Sequence, residues 1–145
     1  MSIIEKIKQE FERATGLSII YQSSEMVNVI IDKTPLPSGW WYIIDSGQVV
    51  IVSTSGEIKE RLQARLYVGD KTSLDFDVII NEKIITQCKE ILFKFVKHVR
   101  TTNCGLEIEN INQSKRFYLE TDAIVTGYML DLTIKENQGT NICNL

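Results

Sequence analysis

The chain has one histidine, two prolines and three cysteines among 145 residues. A lone histidine, His98, excludes a histidine-rich metal centre and leaves a single imidazole for nucleophilic catalysis. It falls late in a helical stretch, on the face with Lys94 and Lys97, and reads as a solvated helix-end side chain. A pairing with Cys104 across the helix end is the alternative. Cys88, Cys104 and Cys143 are odd in number and widely spaced, which fits reduced thiols rather than a disulfide framework. With no Cys-x-x-Cys pair, no metal is expected. The eight glycines are scattered. Neither Gly-x-x-x-x-Gly-Lys nor Gly-x-Gly-x-x-Gly occurs, so nucleotide binding has no support and no cofactor is expected. The nucleophile elbow Gly-x-Ser-x-Gly is also absent.

No apolar run approaches the roughly 20 residues of a membrane span. No excess of basic charge exists either. Residues 1–75 carry eight Lys/Arg against ten Asp/Glu, and residues 76–145 carry eight against nine. Neither half is built to track phosphates, so sequence-specific nucleic-acid binding is not expected. The first residues mix acids with bases and lack the apolar centre of a secretory signal, which makes the cytosol the expected compartment. The triplet Asn112-Gln113-Ser114 is then a chance glycosylation match. Hydrophobic residues at 43% and charged residues at 24% are ordinary globular values and exclude a wholly disordered or collagen-like chain.

What is present is a clear alternation of patterns. Ile3, Ile4, Ile7, Phe11 and Ala14 share one helical face, with Ser2 as cap, Glu5 three residues later and Gly16 as stop. The spacing predicts a helix over residues 2–15. Residues 17–22 and 27–31 are short apolar runs, and residues 34–39 form a loop around Pro35 and Pro37. Strands over 40–44 and 48–53 flank Asp45-Ser46-Gly47, which reads as a hairpin turn. Residues 58–68 alternate with period two and read as a strand, while Ile58, Leu62 and Leu66 also fit a helix over 57–66. A second helix spans residues 78–100, with Ile84, Cys88, Ile91, Leu92, Phe95 and Val99 as its apolar stripe. Asp75 or Asp77 would cap it, Glu82 would sit in its first turn, and Asn103 and Gly105 would end it. Strands over 106–111 and 116–120 would join through Asn112-Gln113-Ser114. A last strand covers 124–135, with Gly127 as a bulge or bend. The order predicts an α+β fold, a mostly antiparallel sheet with two amphipathic helices packed on it. Residues 1–136 form the single domain, and 137–145 a flexible C-terminal tail.

Chemistry is sparse in this pattern. Glu107 with Glu109, and Glu120 with Asp122, are carboxylate pairs that read first as solvated strand faces. Trp40 and Trp41 point to opposite faces of a strand, so one is expected in the core and the other outward, either as an interface anchor or covering the edge of the core. With Pro35 and Pro37 beside them, these four residues are the candidate interface.

The run from Asp122 to Glu136, with the order of helix, β-rich middle, long helix and closing strands, resembles small phage proteins of the head–tail joining and tail-terminator group. The resemblance implies an α+β structural subunit and not an enzyme. Its copies would assemble as a ring, often a hexamer, with tail-tube or neck proteins as partners. It would reside in the host cytoplasm during assembly and then in the virion. A soluble adaptor or regulatory binding domain is the alternative, followed by a small hydrolase using carboxylates or Cys104.

Overall fold

The computed structural model describes residues 2–21, 37–44, 48–52, 56–72, 78–120, 124–137 and 140–141. Helix α1 (Ile3–Thr15) starts where Ser2 Oγ accepts from the Glu5 backbone N–H, and it stops at Gly16 in the left-handed conformation. Both ends are those the sequence predicts. Helix α2 (Val78–Thr101) buries Cys88, Leu92, Phe95, Val96 and Val99, with Ile84 and Ile91 packed at the margin of the core. Its first turn holds no acidic residue. Glu82, expected there, instead pairs with Arg116 at 2.6 Å. The expected caps Asp75 and Asp77 lie outside the described residues.

The strands are β1 (Ile19–Tyr21), β2 (Ser38–Ile43), β3 (Gln48–Val52), β4 (Glu57–Lys71), β5 (Leu106–Glu120), β6 (Ile124–Glu136) and β7 (Thr140–Asn141). They form one open sheet in the order β1-β2-β4-β6-β5, with β3 and β7 also paired to β4. Only β1 with β2 is parallel; the other described pairings are antiparallel. The fold is α+β, as expected. The period-two reading of residues 58–68 also holds, because β4 lies in the middle of the sheet and buries Leu62, Ala64, Leu66 and Val68 on its helix side.

Three expectations are corrected. β2 and β3 do not form a hairpin with each other: both run antiparallel to β4, end to end. Between the pairs Ile43↔Ala64 and Gln48↔Arg61, five residues advance on one side against three on the other. β2 and β3 therefore follow one another along β4, and residues 45–47 lie outside the described residues. Second, Asn112-Gln113-Ser114 is not a turn. β5 continues through it, absorbing extra residues as register shifts at Ile108/Asn110 and Ile111/Gln113. The Asn112 side-chain amide donates to Thr133 Oγ1 across the strands, so a turn-forming residue spends its hydrogen bond inside the sheet. Third, Gly127 is no bulge; its register is regular, opposite Gly69. Within the expected tail, Thr140 and Asn141 pair with Ile58 and Glu57, and residues 138–139 and 142–145 lie outside the described residues.

Both helices cover one face of the sheet. Phe11 of α1 meets Phe95 of α2 with ring centroids 5.4 Å apart, and Trp41, Leu66, Leu130 and Leu132 close the layer beneath them. The opposite face carries a smaller cluster of Trp40 and Val125, with Ile20, Tyr67 and Phe117 against it. Trp40 stacks on Tyr67, and Phe117 meets both edge-on. Beside the cluster, Arg65 grips both oxygens of the buried Asp131 carboxylate at 2.7 and 3.0 Å and donates to the Tyr42 hydroxyl. The Asp131 hydrogen bond holds Arg65 well above the ordinary guanidinium range, against the opposing effect of burial. Burial and the Tyr42 hydroxyl likewise push Tyr67 up.

Candidate functional site

The candidate interface around the tryptophans changes character in three dimensions. Trp40 and Trp41 do face opposite sides of the sheet, as strand alternation demands. Yet both are buried, at 1% and 0% exposure, because each face has its own apolar cluster. Neither ring stands outward as an anchor. Pro37 is exposed just before β2, and Pro35 lies outside the described residues. The loop expected over 34–39 is cut short by β2, which already includes Ser38 and Gly39.

The carboxylates on β5 are matched by cations. Glu109 lies 2.9 Å from Arg61 and 3.2 Å from Lys135, and Glu107 lies 3.7 Å from the same lysine. Partial burial works against the Glu109 charge, but the two cations prevail and hold its carboxyl below the usual range. This cross-strand ion network favours the charged form of Glu109, which argues against that residue as a general acid at neutral pH. Asp122 lies outside the described residues.

Exposed large hydrophobics gather at the two sides of the sheet. Tyr21 and Ile44 are 42% and 41% exposed near the β1–β2 side. Val78, Ile79 and Ile80 open α2, and Tyr118 lies near the end of β5, all between 47% and 73% exposed. The Glu82–Arg116 pair ties the start of α2 to this part of β5. Ile79 also lines a shallow groove of about 350 Å³ with Glu82, Lys83, Thr86, Gln87 and Glu90.

The cluster richest in reactive groups lies where the end of α2 crosses α1. His98 is half-buried rather than solvated. Its Nε2 lies 2.7 Å from Oε2 of Glu10, whose side chain is only 6% exposed. Arg13 holds the other Glu10 oxygen at 2.7 Å. Cys104, on the turn closed by Gly105 at φ 87°, joins them: one ligand atom from each of Glu10, His98 and Cys104 lies within 4.8 Å of the others. The His98–Cys104 proximity was an alternative in the sequence; Glu10 was not foreseen. The available signal is that Ile3, Ile7 and Glu10 step by four and three, which places a carboxylate on an apolar stripe.

The other described thiol is of a different kind. Cys88 is buried, and that burial, reinforced by Asp70, pushes its thiol up to about 12. It is therefore expected to resist alkylation in the native protein at about pH 8, where a reactive cysteine needs thiolate character and access. Iodoacetamide followed by peptide mass spectrometry should find label on Cys104 first and on Cys88 only after unfolding. Equal labelling rates in the native state would show that the core opens at Cys88.

No protein-family model matches this chain, and no curated protein matches it. Among the described residues no helix is long and apolar enough to cross a membrane.

Proposed function

We propose that the chain is a structural subunit of a phage or prophage tail or neck, closing into a ring of identical copies. The observation that carries this reading is the placement of the exposed hydrophobics. Among the described residues, those that are large and exposed divide between the β1–β2 side of the sheet and the β5 side with the start of α2. A ring requires a heterologous interface, in which two different patches of one subunit meet around a closed rotation. Patches at opposite ends of one open sheet meet that requirement, and exposed apolar patches mark association sites. β5 is the longer edge strand, but its middle is blunted by two register shifts and by Lys115 and Arg116. Contact is therefore assigned to the apolar end near Tyr118, not to extended edge-to-edge pairing. The closing strand β6, whose first half has no charge, lies between β4 and β5 and offers no edge. The weak net charge of −3 suits a wall past which DNA slides without adhering.

Light scattering after size exclusion, with negative-stain imaging, tests the reading. The wild-type chain is expected to form a cyclic oligomer at high concentration, alone or with a tail-tube or neck protein as partner. The double variant Val78→Asp, Tyr118→Asp should remain folded by circular dichroism and lose the ring. A wild-type chain that stays monomeric under both conditions would overturn the proposal. A ring that persists in the variant moves the contact elsewhere.

A further inference from the structure

We propose that Glu10, His98 and Cys104 form a binding site for a divalent transition-metal ion of the zinc class. Glu10 is buried, and its Oε2 lies 2.7 Å from His98 Nε2. One donor atom from each of Glu10, His98 and Cys104 lies within 4.8 Å of the other two. A hydrogen bond satisfies the Glu10–His98 pair alone. A metal ion satisfies the pair and the third donor that converges on it, the Cys104 sulfur. Behind the ring, Thr102 Oγ1 lies 3.3 Å from His98 Nδ1.

The donor set selects the ion. One sulfur, one imidazole nitrogen and one carboxylate oxygen are the borderline ligands of zinc and its neighbours, unlike the all-oxygen shells of calcium or magnesium. Coordination deprotonates a thiol outright, so thiolate and carboxylate together balance a divalent charge. The surrounding contacts fit the same purpose. Thr102 Oγ1 meets the imidazole from behind at Nδ1, and Arg13 holds the carboxylate by its other oxygen. Such partners orient metal ligands and raise their affinity. The ligands come from α1, the last turn of α2 and the turn before β5, so a bound ion would join three elements far apart in sequence. Among the described residues three ligands converge, which leaves a fourth tetrahedral position open to water.

Isothermal titration of the reduced, metal-free full chain with zinc chloride tests the site, and cobalt chloride reports its ligands. Saturable binding is expected, with a thiolate-to-cobalt charge-transfer band and a rise in thermal midpoint as zinc is added. His98→Gln and Cys104→Ser should each weaken zinc by at least about tenfold and abolish or displace the band, and Thr102→Val should weaken it by about tenfold through lost orientation. Cys88→Ala, whose thiol lies in the core, should keep both affinity and band. If Cys104→Ser fails to fold, the absence of the cobalt band in folded His98→Gln carries the test, since this is the only histidine. No zinc binding by the wild-type chain, or binding unchanged in His98→Gln and Cys104→Ser, would overturn the proposal. The His98–Glu10 contact would then be a hydrogen bond alone.

Discussion

Phe95→Ala is expected to lower the unfolding free energy by about 3–5 kcal/mol. The side chain has no exposure and lies where the two helices meet the sheet, against Phe11 in a tilted ring pair. Truncation removes the transfer free energy of the ring, leaves a cavity, and forfeits the aromatic contact as well. Domains are held by only about 5–15 kcal/mol in all, so this one change would remove a large part of the total. Urea titration followed by circular dichroism measures it. Lys94→Ala, one residue earlier and exposed, should fall within about 0.5 kcal/mol of wild type. A Phe95→Ala loss under about 1 kcal/mol would show that α2 does not anchor the core.

The helices were legible because their signals are local. Ser2, Glu5 and Gly16 bracket α1 with a cap at each end, and the α2 stripe repeats over many turns. β4 was legible for the same kind of reason, since alternation continues along a strand buried on one side. The strand connections were not. Asp45-Ser46-Gly47 and Asn112-Gln113-Ser114 have the composition of turns, but turn residues only permit a reversal. Whether the chain reverses depends on the partner. A fifteen-residue β4 can accept β2 and β3 in succession, and β6 can hold β5 through two register shifts. Those partners are distant in sequence, and no local pattern announces them.

The candidate sites divide along the same line. The tryptophan pair was placed on two faces correctly, and one ring was expected outside because one face of an antiparallel sheet is commonly solvated. Here the second face has an aromatic cluster of its own, made by Tyr67 from β4 and Phe117 from β5. His98 appeared solvated because its own helix surrounds it with lysines. Its partner Glu10 comes from α1, 88 positions away. Only the tertiary contact between helices turns an isolated histidine and an isolated cysteine into a cluster with a carboxylate.

Gly127→Ala is expected to be the most damaging single methyl addition in the described residues. A Cβ there would lie 2.0 Å from the backbone oxygen of Val68, 2.8 Å from the Cα of Gly69 and 2.9 Å from the Phe117 ring. Two of these neighbours are backbone atoms of the adjoining strand, which cannot move without breaking the β4–β6 pairing. Overpacking a core with a methylene costs about 1–3 kcal/mol when side chains can yield; here the loss should reach or exceed about 3 kcal/mol, since the strands must separate. Gly69, its cross-strand partner, provides the contrast. The three atoms nearest a Cβ at Gly69 all belong to side chains, Val125 Cγ1 at 2.8 Å and the Phe117 and Trp40 rings at 3.0 Å. Gly69→Ala should therefore be partly rescued by Val125→Ala, which removes the nearest atom, whereas Gly127→Ala should gain nothing from Val125→Ala or Phe117→Leu. Double-mutant cycles in urea measure both couplings. A Gly127→Ala chain that unfolds within about 1 kcal/mol of wild type would mean that β4 and β6 do not approach this closely. The close approach is what lets Phe117 lie across the glycine pair and meet Trp40, so its loss would also loosen the aromatic cluster on that face.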